Sequence, residues 1–260
     1  MKGWNEVAKT WNNEIGIDGN WFHKSIIYPA ITNILFDVSK YRILDIGCGN
    51  GHLCRHLKND GASVVGVDSS ENMISECKMN SDDIEYVVMN AESLAFNTNE
   101  FNCCIFNNSL QDIEKYEQAL IEANRILNNS GKLIIITRHP CFHPADDNLG
   151  WYIRTENDNF TNGKGLTNLL YEKRNFHGVH FIMDNYFDES IHIRNWYGKD
   201  TYSFRRTLQE YYKVITKSGF FICSIIEPKP IDSYKSEQPG LFDLLNRIPN
   251  FIIFVGEKTR

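Results

Sequence analysis

Two acids, Asp45 and Asp68, each stand at the end of a short apolar run, and between them lie Gly47, Gly49 and Gly51 in "RILDIGCGNGHL". A glycine-rich turn between a strand and a helix lets the backbone approach a ligand that any side chain would hold off. A nucleoside triphosphate loop needs Lys followed by Ser or Thr after its last glycine. Here Gly51 is followed by His52 and Leu53, which argues against that ligand. A dinucleotide loop spaces its glycines so that a pyrophosphate rests on the helix N-terminus. The alternate spacing 47, 49, 51 departs from that, and a carboxylate at Asp45 would repel a pyrophosphate. Beside a cation, the same carboxylate is favourable.

The cationic aminoacyl end of S-adenosylmethionine answers that description, with Asp68 accepting from both ribose hydroxyls. Asp68 alone does not discriminate, since nicotinamide enzymes use such an acid too. A second group of candidates follows the later apolar runs. His139, in "RHPCFHP" (138–144), begins where a strand ends and can serve as a base or hold the Pro140 turn. His139, Cys141 and His143 lack a matching second ligand pair, so no metal site is predicted. Gln111 and Asp112 follow another strand. Asp112 is a second candidate base, with helix capping before "IEKYEQAL" the competing role. Arg205 or Arg206 could recognise an acceptor's carboxylate or phosphate, or sit solvated at a helix start.

The positioning elements alternate. "RILDIG" (42–47), "SVVGVD" (63–68), "IEYVVM" (84–89), "FNCCIFN" (101–107) and "GKLIIIT" (131–137) read as buried strands. Helical patterns lie between them at 51–59, 71–79 and 114–127. This rhythm predicts right-handed crossovers and a parallel sheet covered on both faces. "HKSIIYPAITNILFDV" places Ile26, Ile27, Ala30, Ile31, Ile34 and Leu35 on one helical face, with Pro29 kinking or interrupting it. Residues 141–203 break the rhythm but are rich in aromatics, which predicts a folded insert with a hairpin around "HFIMDNYF" and "SIHIRNWY". A helix in "SFRRTLQEYYKVITKSG", ending at Gly219, then leads to the strands "FFICSIIEP" and "NFIIFVGEK". A short amphipathic stretch, "LFDLLNRI", lies between the two strands.

At this point the chain resembles the class I S-adenosylmethionine-dependent methyltransferases, from about residue 40 to 137. "ILDIGCGNG" matches that family's first motif and "VVGVDSSENMI" its second; "NAESLAF" matches a D-A-E-x-L-P-F stretch. "FNCCIFNNSLQDI" and "RILNNSGKLIII" are similar to its fourth strand and the helix entering its fifth. Asn90 and Asn102 stand where the family often has Asp. The resemblance implies that Gly47 and Gly49 admit the methionine moiety and Asp45 orients its amino group. It further implies that Asp68 and Ser69 bind the ribose, that Met73 packs on the adenine, and that Asn90, Ala91 and Glu92 address the adenine edge. Asn107 would border the methionine part. "GNWFHKSIIYPAI", "HPCF", "NYFDES", "SFRRTLQEYYKVITKSGF" and "IIEPKP" resemble a bacterial small-molecule branch of methyltransferase type 11-like proteins. In that branch the N-terminal helices and the insert close over the acceptor. Trp21, His23, Gln111, His143 and Arg205 are then the expected acceptor contacts, with simple packing of Trp21, Phe22 and His23 as the alternative.

The totals constrain the rest. The chain has 260 residues, 42% of them apolar, and a net charge of −6, which suits one domain and disfavours a grip on nucleic acid. No apolar run approaches the roughly 18 residues of a membrane span. The polar start predicts no signal peptide, and seven cysteines read as reduced thiols in a cytoplasm. The expected fold is α/β: a Rossmann-like, seven-stranded, mostly parallel sheet with helices on both faces and one antiparallel strand near the C-terminus. A cap over it combines the N-terminal helices with an insert after the fifth strand. Its parts are a lid (1–38), a cofactor-binding core (39–140), a cap insert (141–203) and the rest of the core (204–260). The expected activity is methylation of O or N on a small, aromatic or heterocyclic acceptor by a monomer or homodimer, with S-adenosylhomocysteine as product. RNA or protein methylation, a non-catalytic cofactor-binding subunit and a nicotinamide oxidoreductase are the rivals.

Overall fold

A computed structural model describes residues 3–142, 153–154, 160–161, 186–189, 191–196 and 198–259. Helix α1 (Trp4–Ile15) is followed by a π-turn (His23–Ile27) that runs into α2 (Tyr28–Leu35). Then β1 (Arg42–Ile46), α3 (His52–Asn59), β2 (Ser63–Asp68), α4 (Glu71–Asn80), β3 (Glu85–Val88) and β4 (Phe101–Asn107) alternate as expected. A 3-10 turn (Leu110–Asp112), α5 (Tyr116–Ile126) and β5 (Leu127–Arg138) complete the regular part. The insert contains two-residue strands β6 (Ile153–Arg154) and β7 (Phe160–Thr161) and the strands β8 (Ile191–Trp196) and β9 (Lys199–Phe204). Helix α6 (Leu208–Lys217), β10 (Phe220–Ile226), α7 (Pro239–Leu245) and β11 (Phe251–Lys258) follow.

The main sheet has the order β10-β11-β5-β4-β1-β2-β3, with β11 antiparallel to both neighbours and the other pairs parallel. Strand residues alternate between faces. Ile43, Ile105, Ile134, Ile136, Ile253 and Val255 meet the α2 and α3 side. Leu44, Ile46, Val67, Phe106, Ile135 and Phe254 meet the α5 and α6 side. Burial on both faces is why these strands read as unbroken apolar runs. With β10 parallel to β1, β4 and β5, the residues leaving all four at their carboxyl ends share one edge of the sheet.

A regular α-helix does not run through Pro29 unbroken: a π-turn ends at Ile27, two residues before it. The preceding turn widens, Tyr28 N–H reaching back five residues to the His23 carbonyl. A proline cannot donate to the carbonyl four residues before it and its ring crowds that oxygen. Here that carbonyl, on Ser25, accepts instead from Ile231 N–H at 2.9 Å, which ties the C-terminal loop to the helix. Other boundaries also move. The hairpin pairs 191–196 with 199–204, so its second arm is "KDTYSF" and not "HFIMDNYF"; "HFIMD" lies outside the described residues. Residues 203–204 end β9, and α6 begins after Thr207, whose hydroxyl caps it by accepting from Glu210 N–H at 3.2 Å.

Arg206 is therefore not a solvated residue at a helix start. It is 7% exposed, and its guanidinium donates to the carbonyls of Leu110 (3.0 Å) and Ile113 (2.8 Å) while lying 3.7 Å from the Tyr116 ring centroid. It clamps the turn that carries Gln111 and Asp112. Arg206→Ala should cost about 2–4 kcal/mol, from two buried charge-assisted bonds and the ring contact. An unchanged denaturant midpoint would contradict this.

Candidate cofactor site

The site begins where β1 stops. Gly47, Gly49 and Gly51 all take positive φ (75°, 56° and 78°), a conformation that glycine adopts without strain. A Cβ on Gly47 would lie 2.4 Å from Ser109 Cβ, because the loop after β4 packs directly on this turn and the Ser109 hydroxyl donates to the Ile46 carbonyl. A Cβ on Gly49 would meet only Trp11 Nε1, at 3.6 Å, so this glycine faces open space under α1. Asp68 closes the turn from the neighbouring strand. One carboxylate oxygen accepts from Gly49 N–H at 3.0 Å and the other from Ser70 N–H at 2.9 Å. Each oxygen keeps a second lone pair for a hydroxyl. Burial raises the Asp68 carboxyl, and those backbone donors oppose the shift.

Asp45 lies at the base of the turn and is 1% exposed. Its Oδ2 accepts from the Cys54 thiol at 3.3 Å, while Oδ1 is buried with no hydrogen-bond partner among the described residues. Burial pushes its carboxyl up to about 7; the Cys54 bond lowers it and the Asp68 charge raises it further. A buried acceptor of this kind is costly unless a donor or cation completes it. An open glycine cradle and an unsatisfied carboxylate fit an amino acid ammonium together with a ribose, which is the donor set that S-adenosylmethionine presents.

The adenine end is less uniform. Met73 is 1% exposed yet belongs to neither apolar cluster of the sheet, and its N–H caps onto Ser70 Oγ. Ser69 is half-buried beside Asp68. Asn90 is exposed, and its Oδ1 already accepts from Glu92 N–H at 3.0 Å. Ala91 is buried within the apolar cluster on the α5 side, and Glu92 leans toward Lys115, 4.0 Å away. Asn102 lies far from all of these. Its Oδ1 accepts from Arg42 N–H at 2.8 Å and fixes the start of β1, as an Asp there could also do, so this departure from the family pattern does not touch the cofactor site.

The aromatic cover over the glycines is Trp11 of α1. Helix α1 is bound to α4 through Asn5 with Ser70 and Asn72 and through Asn12 with Glu76, and to β9 through Glu6 and Lys199 at 3.4 Å. Sequence reading missed Trp4 and Trp11, which pack edge to face at 5.2 Å, because α1 has no spacing that separates a lid from an ordinary amphipathic helix. Trp21 and His23 are instead buried beside α2. The Trp21 indole donates to the Tyr234 carbonyl, and His23 lies 4.2 Å from the His52 ring. Burial lowers the His23 imidazole to about 4, so it is neutral at ordinary pH.

At the carboxyl end of β4, Asn107 Oδ1 accepts from Asn108 Nδ2 at 3.2 Å. Asn108 itself, which the sequence did not single out, has φ +53° and a buried Oδ1 with no hydrogen-bond partner among the described residues. Gln111 Oε1 accepts from the Thr137 hydroxyl at 2.7 Å, with Tyr211 3.2 Å from the same hydroxyl. Asp112 is buried in the 3-10 turn and does not cap α5, whose N-cap is Lys115. Arg205 is half-buried with Asp188 as its charged neighbour, and His143 lies outside the described residues.

His139 is 2% exposed and has both ring nitrogens engaged. Nδ1 accepts from Cys141 N–H at 3.2 Å, so Nε2 carries the proton and donates to Glu227 at 2.8 Å. In this arrangement the imidazole has no lone pair left for a substrate proton. It holds Glu227, a half-exposed carboxylate at the carboxyl end of β10, against the end of β5. His139→Ala should leave S-adenosylhomocysteine affinity unchanged within about a factor of two, since nothing ties it to the glycine turn. A tenfold loss in a calorimetric titration would show that it reaches the cofactor. Among the described residues no group of three His, Cys, Asp or Glu is placed to hold a metal.

The comparisons agree with this geometry. Residues 44–135 match the methyltransferase domain family. An S-adenosylmethionine dependent methyltransferase from Mesorhizobium loti superposes with a TM-score of 0.73 at 25% identity, over 94% of this chain and 100% of that one. A demethylmenaquinone methyltransferase from Renibacterium salmoninarum is 30% identical over 104 residues, 40% of this chain and 44% of its own. A ubiquinone biosynthesis O-methyltransferase from Bartonella tribocorum is 29% identical over 107 residues, 40% and 43%. The matched stretch thus spans under half the length of either curated relative. Fold and site together define a Rossmann-like nucleoside-cofactor class. The chain is similar to the S-adenosylmethionine-dependent methyltransferases of that class, and S-adenosyl-L-methionine is the cofactor that the match implies.

Proposed function

We propose that this protein methylates a small, aromatic or heterocyclic molecule at oxygen or nitrogen. The observation that carries the reading is Asp45: a buried carboxylate with an unsatisfied oxygen at the base of an open glycine turn. When bound, the cofactor supplies an electrophilic methyl group on a sulfonium. The chain's own residues bind and orient: Asp45 the ammonium, Asp68 the ribose, Met73 the adenine, Asn107 the methionine part. Helix α1 covers the loop through Trp11 and is tied to the β8–β9 hairpin by Glu6 and Lys199. A Cβ on Gly3 would run into the Asp200 carbonyl, which shows how closely these two segments approach.

The net charge of −6 supports a small acceptor over RNA or protein. Gln111, His143 and Arg205 remain the proposed acceptor contacts, with Asp112 and His139 beside them, while Trp21 and His23 take the packing role. The cap of 1–38 and 141–203 over the core, a cytoplasmic setting and a monomer or homodimer belong to the same reading. Among the described residues no helix is long and apolar enough to cross a membrane. Transfer of labelled methyl groups to a panel of phenols, hydroxyquinones and N-heterocycles tests the proposal. Label passing only to RNA or protein would overturn it.

A further inference from the structure

Beneath the glycine turn lie three buried thiols that the cofactor reading does not use. Cys48 is in the turn itself, Cys54 on α3 and Cys77 on α4; they are 5%, 0% and 0% exposed, and all are free. Cys54 and Cys77 are the polar neighbours of the Cys48 sulfur. Cys77 and Cys48 converge on one oxygen: the Gly49 carbonyl lies 3.0 Å from Cys77 Sγ and 4.0 Å from Cys48 Sγ. Cys54 is turned the other way, toward Asp45. The surroundings are polar. Tyr86 is 4% exposed, and its hydroxyl is buried beside these thiols with no hydrogen-bond partner among the described residues. Glycines make the room: a Cβ on Gly51 would lie 3.0 Å from Cys77 Sγ, and one on Gly66 would lie 2.9 Å from Cys54 Sγ.

We infer that Cys48 and Cys77 form a reversible disulfide that shuts the cofactor site. The two thiols lose two protons and two electrons to a two-electron oxidant, a peroxide or a small disulfide, and a sulfur–sulfur bond forms. That bond is about 2.05 Å long, well inside the separation of two thiols in contact. Drawing the sulfurs together pulls the turn toward α4, and Cys77 can no longer donate to the Gly49 carbonyl. Gly47 and Gly49 then leave the positions at which the cofactor meets them. The neighbouring Cys54 and Cys77 thiols, and after them burial, raise the Cys48 thiol well above its ordinary value, which keeps it protonated and slow to react while the turn is closed. A ligand on the turn therefore protects it.

The inference rests on the cofactor reading only for its consequence; the bond itself is read by mass. Reduced protein is treated with diamide, whose N=N bond takes up the two hydrogens, with and without S-adenosylhomocysteine. The expected result is loss of two hydrogens in the intact mass, mapping to a Cys48–Cys77 peptide, slower with ligand present. S-adenosylhomocysteine affinity should fall by about tenfold or more and return with dithiothreitol. Cys77→Ser and Cys48→Ala should each block the bond while melting near the parent temperature. No disulfide, a disulfide elsewhere, or oxidised protein that binds as reduced protein does would overturn the switch. If reduced protein fails to bind S-adenosylhomocysteine, the cofactor reading falls, and the mass result still decides the disulfide.

Discussion

Gly47→Ala should destabilise the protein by about 2–5 kcal/mol and weaken S-adenosylhomocysteine binding by about a hundredfold or more. Two costs add. An L-residue held at φ +75° loses about 1–2 kcal/mol relative to glycine. The new Cβ would sit 2.4 Å from Ser109 Cβ, and forcing an extra methyl into such a contact costs about 1–3 kcal/mol. Relief requires the turn and the loop after β4 to part, which moves both walls of the site. Gly198→Ala is the control. Its φ is +85° but nothing lies within 4 Å of its Cβ, so only the strain remains and ligand affinity should hold. Denaturant melts and calorimetry on both variants check the pair of expectations. A Gly47→Ala protein that binds as the parent does would remove the turn from the site.

Asp45→Asn should lower cofactor affinity by about ten- to a hundredfold, the value of a buried charge-assisted contact, with little change in fold. The sign of its pH dependence follows from burial. In the free protein the Asp45 carboxyl titrates at about 7, well above its ordinary value of 3.8. From about 4 to 7 the unfolded chain is ionised there and the folded chain is not, so this group's contribution to stability falls as pH rises through that window. Binding a cation favours the ionised form, so parent affinity should rise with pH up to about 7 and then level. Below that, the limiting slope is about tenfold per pH unit. The Asn variant should lose the part of the slope due to Asp45, leaving only the weaker contribution of Asp68. An equal slope in both proteins would show that Asp45 does not meet the cation.

The strands and their parallel packing under helices follow from apolar runs at regular spacing, whereas the antiparallel strand near the C-terminus comes with the family resemblance and the strand order only with the structure. The glycine turn is legible for a related reason: Gly47, Asp45 and Asp68 are local in sequence and their backbone demands are written in residue type. The cover over the turn is not. Trp11 reaches Gly49 through the docking of α1 on α4, a tertiary contact with no spacing of its own. The same holds for His139. As a residue type it suggests a base, and only the geometry shows both nitrogens occupied by Cys141 and Glu227. Glu227 was visible merely as part of "IIEPKP", because its partner is 88 residues away. Pro29 marks an irregularity in the sequence, and only the structure shows its form, a π-turn with the Ile231 N–H donating to the carbonyl that a proline cannot serve.

Calorimetric titration of the reduced protein with S-adenosylhomocysteine, beside NAD and at pH 6 and 8, tests the central claim most directly. The account predicts micromolar binding of S-adenosylhomocysteine alone, tighter at pH 8. Binding of NAD in its place, or binding of neither, would contradict the assignment of Asp45 and the glycine turn to this cofactor.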